Sequence, residues 1–203
     1  MSRIGGTSPV SRPHGAGGTA PIDPGRFSLR PLDPRTDSAL VHRWVTHPKS
    51  AFWMMRHFDL GDIEEKYTAM AAHEHHDAFL GLVDGVPAFL IERYDPRYVA
   101  LVGLYRPEPG DVGLHFLVSP ADRPVHGFTR AAITSTMRML FADPATRRVV
   151  AEPDIRNDAA HTIFAYAGFT TTEKIRKPEK DAYLCVCPRE RFEQSPAGRS
   201  VAP

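Results

Sequence analysis

The chain contains 203 residues, and its 25 lysines and arginines nearly balance its 24 aspartates and glutamates. This length favours one domain with a sizeable core, and the balanced charge argues against nucleic acid or an anionic membrane as a partner. No stretch of about 18 uncharged apolar residues is present, so we expect neither a signal peptide nor a membrane span. The two cysteines, Cys185 and Cys187, are interpreted as reduced structural residues, in agreement with a cytoplasmic protein.

Composition divides the chain into a domain and two tails. Residues 1–26 carry six Gly, four Pro and five Ser or Thr, and they offer so little apolar surface that we predict a disordered tail. The final segment, "SPAGRSVAP", predicts a flexible tail at residues 195–203. Residues 27–194 are therefore predicted to form the folded domain.

Helix-like and strand-like periodicities alternate along this domain. The first half predicts a strand at "FSLRPL", helices around residues 38–45 and 63–73, and a hairpin of "AFLGLVDG" and "VPAFLIERYD" joined at Asp84-Gly85. The second half predicts a strand at "GDVGLHFLV", a helix at 129–141, a strand at "RRVVAE", a helix at 158–167 ended by Gly168, and strands at "TTTEKI" and "AYLCVC". This order predicts an α/β domain with a mixed sheet and helices on both faces.

The turn "SPADRPVHGFTRAA" joins a predicted strand to a predicted helix. A helix start offers unpaired N–H groups and the positive end of a dipole, and Gly127 would let a phosphate approach the backbone between Arg123 and Arg130. The spacing matches neither G-x-G-x-x-G nor a P-loop. The turn is thus either a pyrophosphate cradle or an ordinary connection.

Two groups of histidines are candidates for chemistry. His115 lies in the middle of the apolar strand "GDVGLHFLV", where it is either a satisfied core residue or a functional group. The "HEHHD" segment at residues 73–77 has ligand-type side chains, but it lacks H-E-x-x-H spacing. We interpret that segment as a solvated helix C-terminus, where histidines interact favourably with the helix dipole.

The second predicted helix opens with Asn157-x-x-Ala160 and is followed by Gly168-Phe169. Together with the glycine-led turn and the element order, this pattern resembles the GNAT superfamily of acyl-coenzyme A N-acyltransferases over about residues 27–192. The closest likeness is to the siderophore-pathway branch, which acylates N-hydroxylated lysine or diamines. The blocks that carry it are "HRWVTHPKSAFW", "LIERYDP", "GDVGLHFLV", "HGFTRAA", "RRVVAEPDIRND", "YAGF" and "PEKDAYL". The resemblance implies the GNAT fold, with a mostly antiparallel mixed sheet.

The resemblance also implies a role for each site residue. His115 would lie at the acyl-transfer point as base or orienting group, and Glu152 would pair with one ring nitrogen and leave the other free for a proton. The implied coenzyme-binding residues are Leu117, Val118, Arg123, His126, Gly127, Phe128, Thr129, Arg130 and Asn157. A backbone N–H near Leu117 would polarise the thioester carbonyl.

Three residues are expected to contact the substrates. Trp53 would line an aromatic entrance, with core packing as the alternative. Glu92 would face a distal ammonium of the acceptor, unless it is a solvated charge at a strand edge. Arg156 would bind a succinyl carboxylate. The chain departs from the family pattern at Thr129, where glycine or alanine is common, and at Phe164, where a tyrosine often serves as general acid.

The implied reaction transfers an acyl group from acetyl- or succinyl-coenzyme A to the hydroxylamine nitrogen of a small molecule. N-hydroxycadaverine is the first expected acceptor and N6-hydroxylysine the second, and no metal is expected. We expect no nucleic-acid or membrane partner, and a monomer or small homo-oligomer. The alternatives are an aminoglycoside or other amine N-acetyltransferase and a non-catalytic acyl-coenzyme A-binding module.

Overall fold

The protein's architecture is given by a computed structural model, which describes residues 26–200. Seven strands form one sheet in the order β1-β2-β3-β4-β5-β7-β6. The strands are β1 (Phe27–Pro31), β2 (His76–Val83), β3 (Val86–Tyr94), β4 (Asp111–Val118), β5 (Arg148–Ala151), β6 (Thr170–Arg176) and β7 (Asp181–Pro188). The helices are α1 (Pro34–Val45), α2 (Leu60–Ala71), α3 (Phe128–Ala142), α4 (Asp158–Tyr166), α5 (Arg189–Gln194) and α6 (Pro196–Arg199), with a 3₁₀ helix at Pro48–Trp53.

The predicted mixed, mostly antiparallel sheet is confirmed. Neighbouring strands are antiparallel except for β4 and β5, which run parallel. The predicted hairpin is also confirmed, since Asp84 and Gly85 both adopt positive φ angles, of 50° and 80°. Two successive positive φ angles suit the tight turn of a β-hairpin.

Helices cover both faces of the sheet, because apolar side chains of β3 point to both faces and must be buried on each. Leu90 packs in one core cluster with Val41 of α1 and Ile63 of α2. Phe89, the preceding residue of β3, packs in a second cluster with Ile133 of α3. Because successive side chains of a strand point to opposite faces, one strand serves both layers.

Two local features differ from the predicted element bounds. Helix α1 begins at Pro34 rather than near Ser38. The Asp33 side chain accepts a hydrogen bond from Arg35 N at 3.0 Å, and a proline suits the first position of a helix. The 3₁₀ helix after α1 was not predicted; its backbone is kinked at Ser50.

The prediction of a flexible tail from residue 195 is wrong for residues 195–200. Helix α6 follows α5 directly, and Ala197 is buried in the core with Phe192. The Ser195 hydroxyl donates to Phe192 O at 2.6 Å and accepts from Gly198 N at 3.0 Å, so it caps the helix. The predicted N-terminal tail, apart from Arg26, and residues 201–203 lie outside the described residues.

Between residues 26 and 200 the helices are all too short or too polar to cross a membrane. Both cysteines are free and buried, and they pack in the cluster under α3. Burial raises the pKa of the Cys187 thiol to about 12, and it raises that of Cys185 as well. Thiols in such surroundings are inert, which agrees with their predicted structural role.

Candidate active site

The parallel strands β4 and β5 diverge, and a cavity opens where they part. Their pairing covers only Asp111–Gly113 against Arg148–Val150, so the rest of β4 has a strand partner on its β3 side alone. The cavity has a volume of about 500 Å³. It lies between β4, the 3₁₀ helix, the start of α4 and the β6–β7 turn, whose side chains line it.

A histidine and a glutamate face each other across β3 and β4 at the floor of this cavity. Glu92 and His115 are register partners, and His115 Nδ1 lies 2.9 Å from Glu92 Oε2. Glu92 is only 3% exposed, and its other oxygen accepts a 2.9 Å hydrogen bond from the Tyr67 hydroxyl of α2. Glu92 is therefore not the solvated strand-edge charge of the alternative prediction.

A second glutamate binds the other nitrogen of the same imidazole. Glu152, directly after β5, lies with Oε1 2.7 Å from His115 Nε2. It also accepts hydrogen bonds from the Tyr94 hydroxyl at 2.7 Å and from Lys177 Nζ at 2.8 Å. These contacts connect six residues, which we call the histidine network: Tyr67, Glu92, Tyr94, His115, Glu152 and Lys177.

The network holds His115 as an imidazolium. Burial by itself would lower the pKa of His115, but the charges and hydrogen bonds of Glu152 and Glu92 outweigh it and raise the pKa to about 9. Burial would raise the pKa of Glu92, yet His115 and Lys66 bring it down to about 2. The pKa of Glu152 also lies well below its usual value, because His115 and Lys177 outweigh burial. Buried charges of this kind are tolerated only when paired.

This geometry corrects one part of the predicted role of His115. The structure brings His115 and Glu152 together as expected, but the second ring nitrogen is not free, because the β3–β4 register places Glu92 against it. An imidazolium with both nitrogens engaged has no lone pair with which to take a proton. In this state His115 orders the two glutamates and faces the cavity with a side chain that is 25% exposed.

His76 belongs to the same neighbourhood, which the sequence did not indicate. Helix α2 ends at Ala71, and His76 opens β2 with Nε2 3.9 Å from Glu92 Oε2 and no hydrogen-bond partner among the residues described. Burial, partly opposed by Glu92, lowers its pKa to about 4. The interpretation of "HEHHD" as a solvated helix end is therefore wrong for His76. Within residues 26–200 no three His, Cys, Asp or Glu side chains are arranged to hold a metal.

The glycine-led turn has the geometry of an open helix start. Gly127 has φ of 78° at the N-cap of α3, which begins without a side-chain cap. A Cβ at Gly127 would meet no atom within 4 Å, so the backbone conformation rather than space favours glycine. Arg123 and His126 are exposed along this turn. The turn therefore offers uncapped N–H groups to an anion.

Of the other six predicted coenzyme residues, four line the cavity and two do not. Leu117, Val118, Thr129 and Asn157 line it, and so does Phe164. The Asn157 side chain accepts a hydrogen bond from Ala160 N at 3.1 Å and so caps α4. Phe128 and Arg130 are outside the lining, and the Arg130 guanidinium lies 5.1 Å from the Tyr166 ring centroid.

Two of the three predicted substrate residues reach the cavity. The Trp53 indole lines it, with a ring centroid 6.2 Å from that of His115, and Glu92 lines it through the histidine network. Arg156 does not line the cavity: its side chain is 69% exposed and pairs with Asp154 at 2.7 Å. Its guanidinium lies beside two lining residues, Asp154 and the Phe52 ring, whose centroid is 5.8 Å away. Arg156 is therefore next to the cavity with its charge already paired, and its binding of an acyl carboxylate stays a prediction.

Sequence reasoning missed Tyr67, Tyr94, Lys66, Lys177 and Lys180, all of which line the cavity or belong to the network. For Tyr94 a signal was present. It stands two residues after Glu92 on the same strand, and residues i and i+2 share a face of a sheet. The others are brought in by α2 and by the β6–β7 turn, which local patterns do not place.

The chain is similar to known acyltransferases in both sequence and fold. A family profile described as an acetyltransferase (GNAT) domain matches residues 33–177. The lysine N-acyltransferase MbtK of Mycobacterium sp. (strain MCS) is 23% identical over 85% of this chain and 71% of its own. The N-hydroxyputrescine acetyltransferase of Acinetobacter baumannii is 25% identical over 83% of this chain and 80% of its own. The aminoglycoside acetyltransferase AAC(6')-Ib, solved with coenzyme A and kanamycin, superposes with a TM-score of 0.73 at 22% identity, covering 83% of this chain and 98% of that one.

Proposed function

Since the chain belongs to the GNAT acetyltransferase family, we propose that this acyltransferase acts on a small N-hydroxylated amine and makes a hydroxamate for siderophore synthesis. The acceptor nitrogen forms a bond to the acyl carbon and loses its proton, while the carbon–sulfur bond breaks and coenzyme A leaves as the thiol. N-hydroxycadaverine and N6-hydroxylysine are the proposed acceptors, and acetyl- or succinyl-coenzyme A the donors.

The observation that carries this proposal is the charge state of the cavity. Four carboxylates line it, and each already has a cationic partner: Glu92 and Glu152 have His115, Glu179 has Lys177, and Asp154 has Arg156. A polycationic aminoglycoside needs unpaired carboxylates, which this cavity does not supply. A hydroxylamine nitrogen is far less basic than an alkyl amine and is neutral near pH 7. The proposed acceptors therefore carry one ammonium group each, fewer than an aminoglycoside, and they need less negative charge from the cavity.

The same nucleophile suits the state of His115. A neutral nitrogen already has its lone pair available and needs only modest base assistance. His115 then serves chiefly to fix the two glutamates and the wall on which the acceptor rests. The backbone N–H near Leu117, on the strand edge that parts from β5, is proposed to polarise the thioester carbonyl.

The uncapped start of α3 is proposed to bind the coenzyme's pyrophosphate. Arg123, His126 and Gly127 lie along this exposed turn, and Thr129 follows inside the cavity lining. N–H groups at a helix start favour phosphate oxygens. The thiol arm would then run past Asn157 and Phe164, both of which line the cavity.

Similarity to the N-hydroxyputrescine acetyltransferase supports an N-hydroxylated acceptor, and similarity to the lysine N-acyltransferase MbtK supports a lysine-type acceptor. The likeness to the kanamycin-bound enzyme, at 22% identity, supports the fold alone. An amine acetyltransferase and a non-catalytic coenzyme-binding module are the competing functions that an assay must separate.

The test is release of coenzyme A thiol by the purified protein. Acetyl- and succinyl-coenzyme A would each be offered with N-hydroxycadaverine, N6-hydroxylysine, cadaverine, lysine and kanamycin. Release confined to the hydroxylamines, with an iron-chelating product, is the expected result. Release with kanamycin or plain amines would overturn the proposal, and coenzyme binding without any release would favour the binding module.

A further inference from the structure

The turn between β6 and β7 places two lysines in the cavity. Lys177 N donates to Lys180 O at 2.8 Å and closes the turn, and both side chains line the cavity. Behind the turn, Tyr183 N donates to Pro153 O at 3.0 Å, next to Glu152 of the histidine network. Backbone hydrogen bonds therefore fix both lysines beside the network.

Lys177 is fully paired. Its ammonium lies 2.8 Å from Glu152 and 3.3 Å from Glu179, and its side chain is 8% exposed. Although burial would lower the pKa of Lys177, the two glutamates raise it above the usual lysine value. Lys177 is thus part of the cavity wall, and two glutamates already neutralise its charge.

Lys180 is in the opposite situation. Its residue is half-buried, and no carboxylate or hydrogen-bond acceptor of the described residues pairs with its ammonium. The nearby acids are already engaged, Glu152 by His115 and Lys177, and Asp154 by Arg156. Burial lowers the pKa of Lys180, and Lys177 adds to that effect while Glu152 opposes it. A partly desolvated cation without a counterion is costly, and an incoming anion would offset that cost.

We propose that Lys180 binds a carboxylate carried by one of the two substrates. This inference rests on the proposed function and narrows it. The carboxylate is either the one on the α-carbon of a hydroxylated amino acid acceptor or the distal one of a dicarboxylic acyl donor. A diamine acceptor is then paired with a succinyl-type donor, and acetyl-coenzyme A with an amino acid acceptor. Acetyl-coenzyme A with N-hydroxycadaverine leaves Lys180 unpaired and is the disfavoured combination.

The test measures KM and kcat for acetyl- and succinyl-coenzyme A, each with N-hydroxycadaverine and with N6-hydroxylysine. The variants are Lys180→Met, which keeps length and loses charge, and Lys180→Arg, which keeps charge. Lys174→Met is the matched control, since Lys174 pairs with Asp181 at 2.8 Å on the same hairpin and does not line the cavity. Affinity for coenzyme A itself checks that each variant is folded.

Lys180→Met is expected to raise KM for the carboxylate-bearing substrate by about tenfold to a hundredfold, as loss of a charge-assisted hydrogen bond implies. Lys180→Arg should retain most of the affinity, and Lys174→Met all of it. An increase confined to N6-hydroxylysine identifies the acceptor as the carboxylate source. An increase confined to succinyl-coenzyme A identifies the donor.

Two results would overturn the inference while leaving the proposed function intact. One is a wild-type enzyme that uses acetyl-coenzyme A with N-hydroxycadaverine as well as the carboxylate-bearing pairs. The other is a Lys180→Met variant that loses the same factor with every pair. Failure of the proposed function looks different, because amines rather than hydroxylamines would then be acylated, whether or not they carry a carboxylate.

Discussion

Glu92 and His115 stand directly opposite each other on β3 and β4, with Glu92 Oε2 2.9 Å from His115 Nδ1. The pairing of two strands thus adds a second carboxylate to the one that Glu152 supplies, and Glu92 occupies the nitrogen that a general base would use. Both glutamates next to His115 depend on its charge.

Replacing His115 with glutamine is expected to lower the free energy of unfolding by about 3 to 5 kcal/mol, because it leaves Glu92 and Glu152 charged and buried without their shared cation. Urea denaturation measures the change. The control is the triple variant Glu92→Gln/His115→Gln/Glu152→Gln, which removes the charges together and should lose much less. A triple variant less stable than the single one would show that the network stabilises the fold as a whole.

The two histidines beside Glu92 should titrate on opposite sides of neutrality. NMR of the ring protons is expected to give a pKa near 9 for His115, which two carboxylates stabilise as a cation, and near 4 for His76, which burial keeps neutral. A His115 pKa near the usual 6.5 would contradict the network. In Glu92→Gln, the pKa of His115 should fall.

These two titrations also make the free energy of unfolding depend on pH. The pKa of His115 is raised, so the imidazolium contributes on the order of 3 kcal/mol to the free energy of unfolding. This contribution is fully present below pH 6.5 and is lost as the pH rises through about 9. The pKa of His76 is depressed, so stability falls as the pH drops from 6.5 toward 4. Urea midpoints between pH 4 and 10 measure both slopes. In His115→Gln the alkaline decline should be nearly absent.

Tyr94→Phe removes the hydroxyl that donates to Glu152 at 2.7 Å in the core. We expect a loss of about 1 to 2 kcal/mol, since a buried carboxylate loses one of its hydrogen bonds. Tyr183→Phe is the control, because Tyr183 is half-buried on β7 and its hydroxyl has no partner among residues 26–200. Equal losses in the two variants would mean that the Tyr94–Glu152 bond contributes nothing of its own.

Gly127→Ala tests the proposed coenzyme cradle. The φ of 78° is unfavourable for alanine, so we expect a loss of about 1 kcal/mol in stability together with a raised KM for the coenzyme. Gly103→Ala is a close match, with φ of 75° and no atom within 4 Å of the added Cβ in either case. It should lose similar stability and bind the coenzyme normally. If the two variants have the same KM, the turn is an ordinary connection.

Much of the fold follows from local patterns. Alternation in "VPAFLIERYD" and the Asp84-Gly85 pair define a hairpin, and the apolar stripe of residues 129–141 defines α3, so the order of elements could be predicted. Helix α6 could not, because a single buried alanine in a Gly- and Pro-containing segment gives no periodicity.

The site was predictable only in part. The resemblance paired His115 with Glu152. The contact of Glu92 with the other ring nitrogen depends on the register of β3 and β4, which a long connection separates along the chain. His76 reaches the site from the start of β2, and Lys180 reaches it from the β6–β7 turn. Both segments are short and polar in sequence. Their proximity is a tertiary property, and propensities along the chain carry no information about it.

The contacts of the histidine network join residues that are 23 to 58 positions apart along the chain. They connect α2, both central antiparallel strands, the end of β5 and the last hairpin, so the site closes only after the whole sheet has assembled. Contacts between distant parts of a chain form slowly, since loop closure must precede them. During refolding, enzymatic activity should therefore return after the helical signal has recovered, and turnover would report completion of the native topology.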